Sequence, residues 1–440
     1  MAGLQRPPPC EGQVDPVTPP VPELPHPAQR FVAYDKFLDC VHCGLCLSAC
    51  PTYVELGTEM DSPRGRIYLM KALEDGSLPM TPDVVRHLDL CLGCRACETA
   101  CPSGVRYGDL IESARSFVEA QHQRPLLDRL RRRLITLLFP HPQVLRTLLL
   151  PLRFLELLGF MRMARRVSAL AAMLPQLGSW EPMPEIVAAR GAEAHRVGFV
   201  AGCVAQVLFA ETNRATVRVL TRNGCTVKTP ARQVCCGALY LHAGARREAL
   251  DCARHNIDTF PADLEAIIVN AAGCGAMLKQ YGELLADDAV YAARAHAFSA
   301  KVRDVTEFLA GLSLVPPTRT VRTRVTYHDA CHLAHGQGVR DAPRKLLQQI
   351  PGLELVELTD SDTCCGSAGS YNLTEPEMAR RLGERKAANI RATGATCVAV
   401  ANPGCVMQIQ AALRRGGDET IVRHPVELLD AAYGEDDSRP

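Results

Sequence analysis

The stretches "VCCGALY" (Val234–Tyr240) and "TCCGSAGS" (Thr363–Ser370) carry the same uncommon tripeptide, two adjacent cysteines followed by glycine. Each sits between two further cysteines at closely similar intervals. In the first copy the gaps are 32 and 38 residues (203 to 235, 236 to 274), and in the second 33 and 40 (331 to 364, 365 to 405). The flanking segments match as well. "RVGFVAGC" and "RVTYHDAC" are short β-branched or aromatic runs that end in cysteine, and "AIIVNAAGC" and "CVAVANPGC" are apolar runs that end in a Gly-Cys turn. Such runs read as buried parallel strands. The segments "ETNRATVRVLTRNG", stopped by Gly224, and "EMARRLGERKAANI" read as helices. Alternating strands and helices predict a parallel sheet in each copy. The outer cysteines then fall just beyond strand carboxyl ends, where open α/β sheets place their ligands. The region is thus read as a duplicated α/β unit. Cys203, Cys235, Cys236 and Cys274 in one copy, and Cys331, Cys364, Cys365 and Cys405 in the other, are candidate ligands of one or two further metal or iron–sulfur centres.

Upstream, "CVHCGLCLSACP" (Cys40–Pro51) and "CLGCRACETACP" (Cys91–Pro102) are both C-x2-C-x2-C-x3-C-P. This is the bacterial ferredoxin spacing, in which three thiolates wrap one cubane cluster and the fourth reaches the other. Cluster I is therefore expected on Cys40, Cys43, Cys46 and Cys101, and cluster II on Cys91, Cys94, Cys97 and Cys50. Zinc sites use four ligands as separated pairs, so two complete runs ending in Cys-Pro favour two [4Fe–4S] clusters. The joining segment reads as helical, with starts at Asp61-Ser62-Pro63 and Thr81-Pro82-Asp83. The fold class expected is multidomain α plus α/β: a helical ferredoxin module, then two duplicated α/β units. No G-x-G-x-x-G fingerprint opens a strand–helix unit, so an organic redox cofactor is expected on another subunit. The chain itself reads as an electron relay with no catalytic residue of its own.

Twenty cysteines among 440 residues, clustered in short spacings, point to metal ligation in a reducing compartment rather than to a disulfide scaffold. A net charge of +1 and only 5% aromatic residues give no nucleic-acid footprint. Residues 1–30 hold nine prolines and no apolar signal core, and read as a disordered tail. No apolar run is long enough for a transmembrane helix, so a cytoplasmic location is expected. The expected divisions are the tail 1–30, ferredoxin module 31–120, linker 121–190, first unit 191–315 and second unit 316–440. The linker carries ten arginines between Arg124 and Arg166 against Asp128 and Glu156, with leucines at helical spacing. Pro140, Pro142 and Pro151 are expected to break it into short helices. It reads as a packed linker, a partner interface, or a face docked on the inner surface of the cell membrane. Cys10, Cys225, Cys252 and Cys397 lack counterparts and read as structural. His328, His332 and His335 surround Cys331; a ligand role competes there with ordinary hydrogen bonding.

With these motifs the chain resembles the iron–sulfur subunit of glycolate oxidase (glycolate dehydrogenase). The likeness runs over about 35–430 and is carried by "SPRGRIYLMK", "CETACPSGVRYGDL", "VCCGALYLHAG", "GCGAMLKQYGELL" and "CCGSAGSYNLTEPEMARRL". The resemblance implies a complex that oxidises glycolate to glyoxylate. Electrons would pass from FAD on flavoprotein subunits, through this chain, to a membrane quinone or another acceptor. It leaves two alternatives: the iron–sulfur subunit of a lactate or glycerol-3-phosphate dehydrogenase, and a thiol–disulfide reductase working through the CCG cysteines. In some related subunits each CCG unit ends C-x-x-C; here Ala271 and Asn402 stand at the first of those positions.

Overall fold

The computed structural model describes residues 31–161, 171, 173–175, 177 and 180–434. The Pro-rich tail, Cys10, Arg162, Arg165 and Arg166 lie outside them.

The N-terminal module is helical, as the sequence predicts. Helix Pro63–Glu74 starts where Ser62 Oγ accepts the Gly65 N–H (2.9 Å), and helix Pro82–Asp89 where Thr81 Oγ1 accepts the Val84 N–H (3.4 Å). In both, proline follows the cap, where its missing N–H costs nothing. These helices pack with Tyr107–Gln121 around Met70, Leu88, Leu110 and Ile111. After Cys50 a helix, Pro51–Leu56, begins at once. After Cys101 the chain instead makes a turn, and the next helix starts only at Tyr107.

Two sheets follow. The first holds β1 (Ile186–Val187), β2 (His195–Val200), β3 (Cys225–Lys228), β4 (Ala266–Val269) and β5 (Val302–Asp304) in the order β1-β3-β2-β4-β5. The second holds β6 (Thr323–His328), β7 (Leu353–Val356), β8 (Cys397–Val400) and β9 (Ile421–Arg423) in the order β7-β6-β8-β9. Apart from the antiparallel edge strand β1, every pairing is parallel. The strand order is the same in both copies, so the duplication inferred from cysteine spacing is a duplication of topology. The inner strands β4 and β8 are buried along their whole length, as parallel strands covered on both faces must be. Cys225 and Cys397 start β3 and β8 inside the core, where burial pushes both thiols up to about 12.

The two units pack through reciprocal contacts of equivalent helices. Helix Ala210–Arg222, after β2, lies on Pro425–Tyr433, after β9; Val305–Ala310, after β5, lies on Asp341–Gln348, after β6. One apolar core runs through both sheets, from Phe199 and Ile268 to Tyr327 and Leu429. The Arg218–Asp430 ion pair (2.6 Å) joins helices Ala210–Arg222 and Pro425–Tyr433.

The linker forms two helices, Leu126–Leu138 and Pro142–Leu157. Pro140 and Pro142 part them as expected, but Pro151 does not break the second. Leu145 and Leu149 on that helix are clamped against Val207 and Leu208, and this contact carries it through the missing N–H. The arginines divide. Arg124 and Arg132 pair with Asp89, Glu119 and Asp128 and fasten the first helix to the ferredoxin module. Arg129 and Arg133 are exposed.

Candidate metal centres

The two ferredoxin runs fold back on each other. Cys40, Cys43, Cys46 and Cys101 line one cavity of about 410 Å³, walled by Pro63, Ile67 and Val105, and Cys97 lines it too. Cys50, Cys91, Cys94 and Cys97 line a second of about 290 Å³. The first group is near solvent, with Cys43 exposed, while all four thiols of the second are buried. Nineteen of the twenty cysteines lie among the described residues, and none of these forms a disulfide.

The second cavity has a built electrostatic wall. Arg66 is only 1% exposed. It donates to the His87 carbonyl (2.7 Å), to Thr52 Oγ1 (3.0 Å) and toward Cys50 Sγ (3.9 Å), and it faces Asp61 at 3.6 Å. Tyr107 Oη donates toward Cys91 Sγ at 3.6 Å, and the Gly93 N–H toward the same sulfur at 3.3 Å. Burial alone would push the Cys91 thiol up; Arg66, Arg115, the Gly93 amide and the Tyr107 hydroxyl together hold it below the usual range. Burial pushes Cys94 and Cys97 well up. Four thiols on one cavity beside a buried guanidinium suit a multiply anionic thiolate–metal cluster, whose charge the cation offsets. The sequence showed Arg66 only as part of "SPRGR"; nothing in composition marks one arginine as buried.

The duplicated units build two matching rows of sulfur. In unit 1 the order of contact is Cys203, Cys235, Cys236, Cys274, with Cys203 Sγ and Cys235 Sγ 3.6 Å apart. In unit 2 it is Cys331, Cys364, Cys365, Cys405. Contact with Cys203 and Cys236, together with burial, pushes Cys235 up; contact with Cys364 and burial do the same to Cys331. Cys274 and Cys405 lie in the first turns of helices Ala272–Lys279 and Pro403–Arg415, rather than in free turns. The glycine of each CCG has a reason. Gly237 and Gly366 have φ of 91° and 87°, and a Cβ there would stand 3.1 Å from Ala249 O or 2.8 Å from Ala379 O. Only glycine lets the cysteine pair turn into the site that close to the next helix.

Both rows open on one cleft of about 1300 Å³ between the units, lined also by Phe139, Leu208, Met407, His242 and His332. His242 and His332 stack across it, centroids 5.4 Å apart. Burial first, and His242 second, hold His332 neutral, down to about 3. His335 has ordinary partners, Thr99 Oγ1 (2.9 Å) and the Asp362 carbonyl (3.1 Å), and helps to seat the ferredoxin module on unit 2. Asn402 donates from Nδ2 to Cys405 Sγ (3.3 Å) and accepts the Gly273 N–H of unit 1 (3.2 Å), tying the two rows together.

The ferredoxin module touches unit 2 through sulfur. Leu92, Cys94 and Ala96 share one buried cluster with Cys331, Cys364, Tyr371 and Met378, and Tyr371 Oη donates to the Leu90 carbonyl (2.9 Å).

Comparison with known proteins agrees with this layout. A family described as a 4Fe-4S dicluster domain matches residues 36–105, and one described as a cysteine-rich domain matches 197–279 and 325–410. The chain is 39% identical to the probable glycolate oxidase iron-sulfur subunit of Bacillus subtilis, over 91% of this chain and 94% of that one. It is 37% identical to the glycolate oxidase iron-sulfur subunit of Escherichia coli, over 93% and 97%. Lactate utilization protein A of Shouchella clausii is 34% identical but aligns with only 52% of this chain. A crystal structure of a hypothetical protein from Helicobacter pylori shares the fold, with TM-score 0.56 at 9% identity over 92% of this chain and 75% of that one.

Proposed function

This chain belongs to the glycolate oxidase iron–sulfur subunits, and on that premise we propose that it relays electrons from a glycolate-oxidising flavoprotein to a quinone-type acceptor. Glycolate to glyoxylate is a two-electron oxidation. A flavin on the partner takes up the electron pair, and iron–sulfur clusters carry electrons singly. In this reading Cys40, Cys43, Cys46 and Cys101 hold an outer [4Fe–4S] cluster, and Cys50, Cys91, Cys94 and Cys97 an inner one. The two CCG rows hold further centres.

The observation that carries the reading is that Cys94 shares one buried cluster with Cys331 and Cys364, while Cys43 is exposed. It supports a line of centres: outer cluster, inner cluster, unit 2, unit 1. The exposed Leu38, Val41 and Leu45 flank Cys40, Cys43 and Cys46 in sequence and suit the flavoprotein partner. At the other end the apolar cleft lies beside the linker helices. Among their described residues, Leu127, Leu130, Leu134 and Leu137 are exposed at helical spacing, with Arg129 and Arg133 beside them. No described helix is long and apolar enough to cross a membrane. The leucine face suits shallow docking on an anionic bilayer, where a quinone would reach the cleft. A lactate-oxidising partner is less favoured, because the lactate utilization relative aligns with only about half of the chain.

Anaerobic purification with co-eluting partners tests the proposal. A flavoprotein should co-elute, iron should exceed the roughly eight atoms of two cubane clusters, and the reduced form should show spin–spin coupled EPR signals. An iron-free, zinc-loaded chain would overturn it.

A further inference from the structure

The two CCG units match in topology and in sulfur order, but they differ at a buried position at the end of the first inner strand. β6 ends at His328, three residues before Cys331; β2 ends at Val200, three residues before Cys203. His328 is 0% exposed, and neither ring nitrogen makes a hydrogen bond of ordinary geometry; the Ser361 carbonyl beside it accepts instead from the Asp329 N–H (3.1 Å) and from Lys386 (3.4 Å). A buried imidazole without a partner is costly, and such groups in native proteins have a reason.

The groups around it are already satisfied. Asp329 is held by Arg344 (2.7 Å), and Lys386 donates to the carbonyls of Asp360 and Ser361. What His328 does face is sulfur. One of its ring nitrogens and the Sγ atoms of Cys365 and Cys405 all lie within 4.8 Å of one another. A single metal ion can be reached from all three, since thiolate and imidazole bond such ions at about 2.3 and 2.0–2.1 Å. A neutral imidazole offers one lone pair for this.

We infer that His328 is a ligand of the unit 2 centre, bonding through a ring nitrogen to the iron site reached by Cys365 and Cys405. Unit 2 then has a mixed sulfur–nitrogen ligand set, and unit 1 an all-sulfur one. The inference rests on the reading that unit 2 holds a metal centre. It makes the two centres unequal: replacing thiolate by imidazole raises cluster potentials elsewhere, so unit 2 would sit above unit 1 in potential. Lys386 acts in the same direction. It is a buried cation facing Cys364 and Cys365, and it stands where unit 1 has the neutral Asn256, each seven residues after the alanine that the CCG glycine touches.

The test is pulsed EPR on the anaerobically purified, reduced complex grown with 15N-histidine, with iron counted in the same sample. The wild-type complex should show a histidine nitrogen coupled as strongly as a directly bound imidazole, on a signal outside the two ferredoxin clusters. His328→Val should abolish that coupling and leave the ferredoxin signals intact; Val200 shows that the fold accepts valine at this place. Iron above about eight atoms per chain with no histidine coupling would overturn this inference alone, as would a coupling that survives in His328→Val. Iron at only about eight would overturn the metal-centre reading and this inference with it.

Discussion

Replacing Arg66 should lower the potential of the inner cluster and leave the outer one nearly unchanged. The guanidinium is buried, lies 3.9 Å from Cys50 Sγ, and acts on Cys91 as well. A unit charge at that distance, at an effective dielectric of about 20, interacts by about 4 kcal/mol. The electron added on reduction is spread over the cluster rather than held on one sulfur, so about half of that, roughly 2 kcal/mol, is the expected difference between the two oxidation states. At 59 mV per factor of ten, this is about 90 mV. Arg66→Met should thus shift the inner cluster down by roughly that amount in an EPR-monitored redox titration. Arg66→Lys keeps the charge and should recover most of the shift. Loss of the Asp61 and Thr52 contacts will cost stability in both variants, so the comparison is made on samples with full iron content. An Arg66→Met protein with full iron and an unmoved inner potential would refute the reasoning, as would equal shifts in both clusters.

Three further outcomes are expected. Gly366→Ala adds a Cβ at φ 87° and 2.8 Å from Ala379 O. It should destabilise by about 3 kcal/mol and empty the unit 2 centre, whereas Gly394→Ala, at φ 64° with nothing within 4 Å, should cost only about 1 kcal/mol; melting curves and iron content separate the two. Burial holds His424, whose Nδ1 accepts the Val426 N–H at 3.1 Å, down to about 3 from 6.5. The unfolded chain binds that proton first, so this stability is present above pH 6.5 and is lost as pH falls toward 3. His424→Asn, which can still cap the helix, should flatten the fall in melting temperature between pH 7.5 and 5.5. Leu127→Glu with Leu134→Glu should reduce flotation with anionic vesicles several-fold without changing iron content; unchanged flotation would leave the leucine face to another partner.

The fold was legible where chemistry constrains spacing. Four cysteines at fixed intervals can wrap a cluster in few ways, and a repeated interval of 32 or 33 residues implies a repeated topology. Strand ends were legible because buried parallel strands are short apolar runs. Three things were not. The passage of the helix through Pro151 depends on Leu145 and Leu149 meeting Val207 and Leu208, a tertiary contact that overrides a local preference. The convergence of both sulfur rows on one cleft depends on how the units pack. The different situations of His328, His332 and His335, neighbours in sequence, depend on which way each side chain leaves its backbone. One is orphaned, one stacked, and one hydrogen-bonded between modules.

The most direct test of the relay is rapid-freeze EPR of the complex, co-purified with its flavoprotein and mixed with glycolate. Signals of reduced iron–sulfur centres on this chain should rise as the flavin is reduced, and Cys43→Ser, which removes a proposed ligand of the outer cluster, should stop the inner signals from appearing. Flavin reduced by glycolate while every centre on this chain stays oxidised would contradict it.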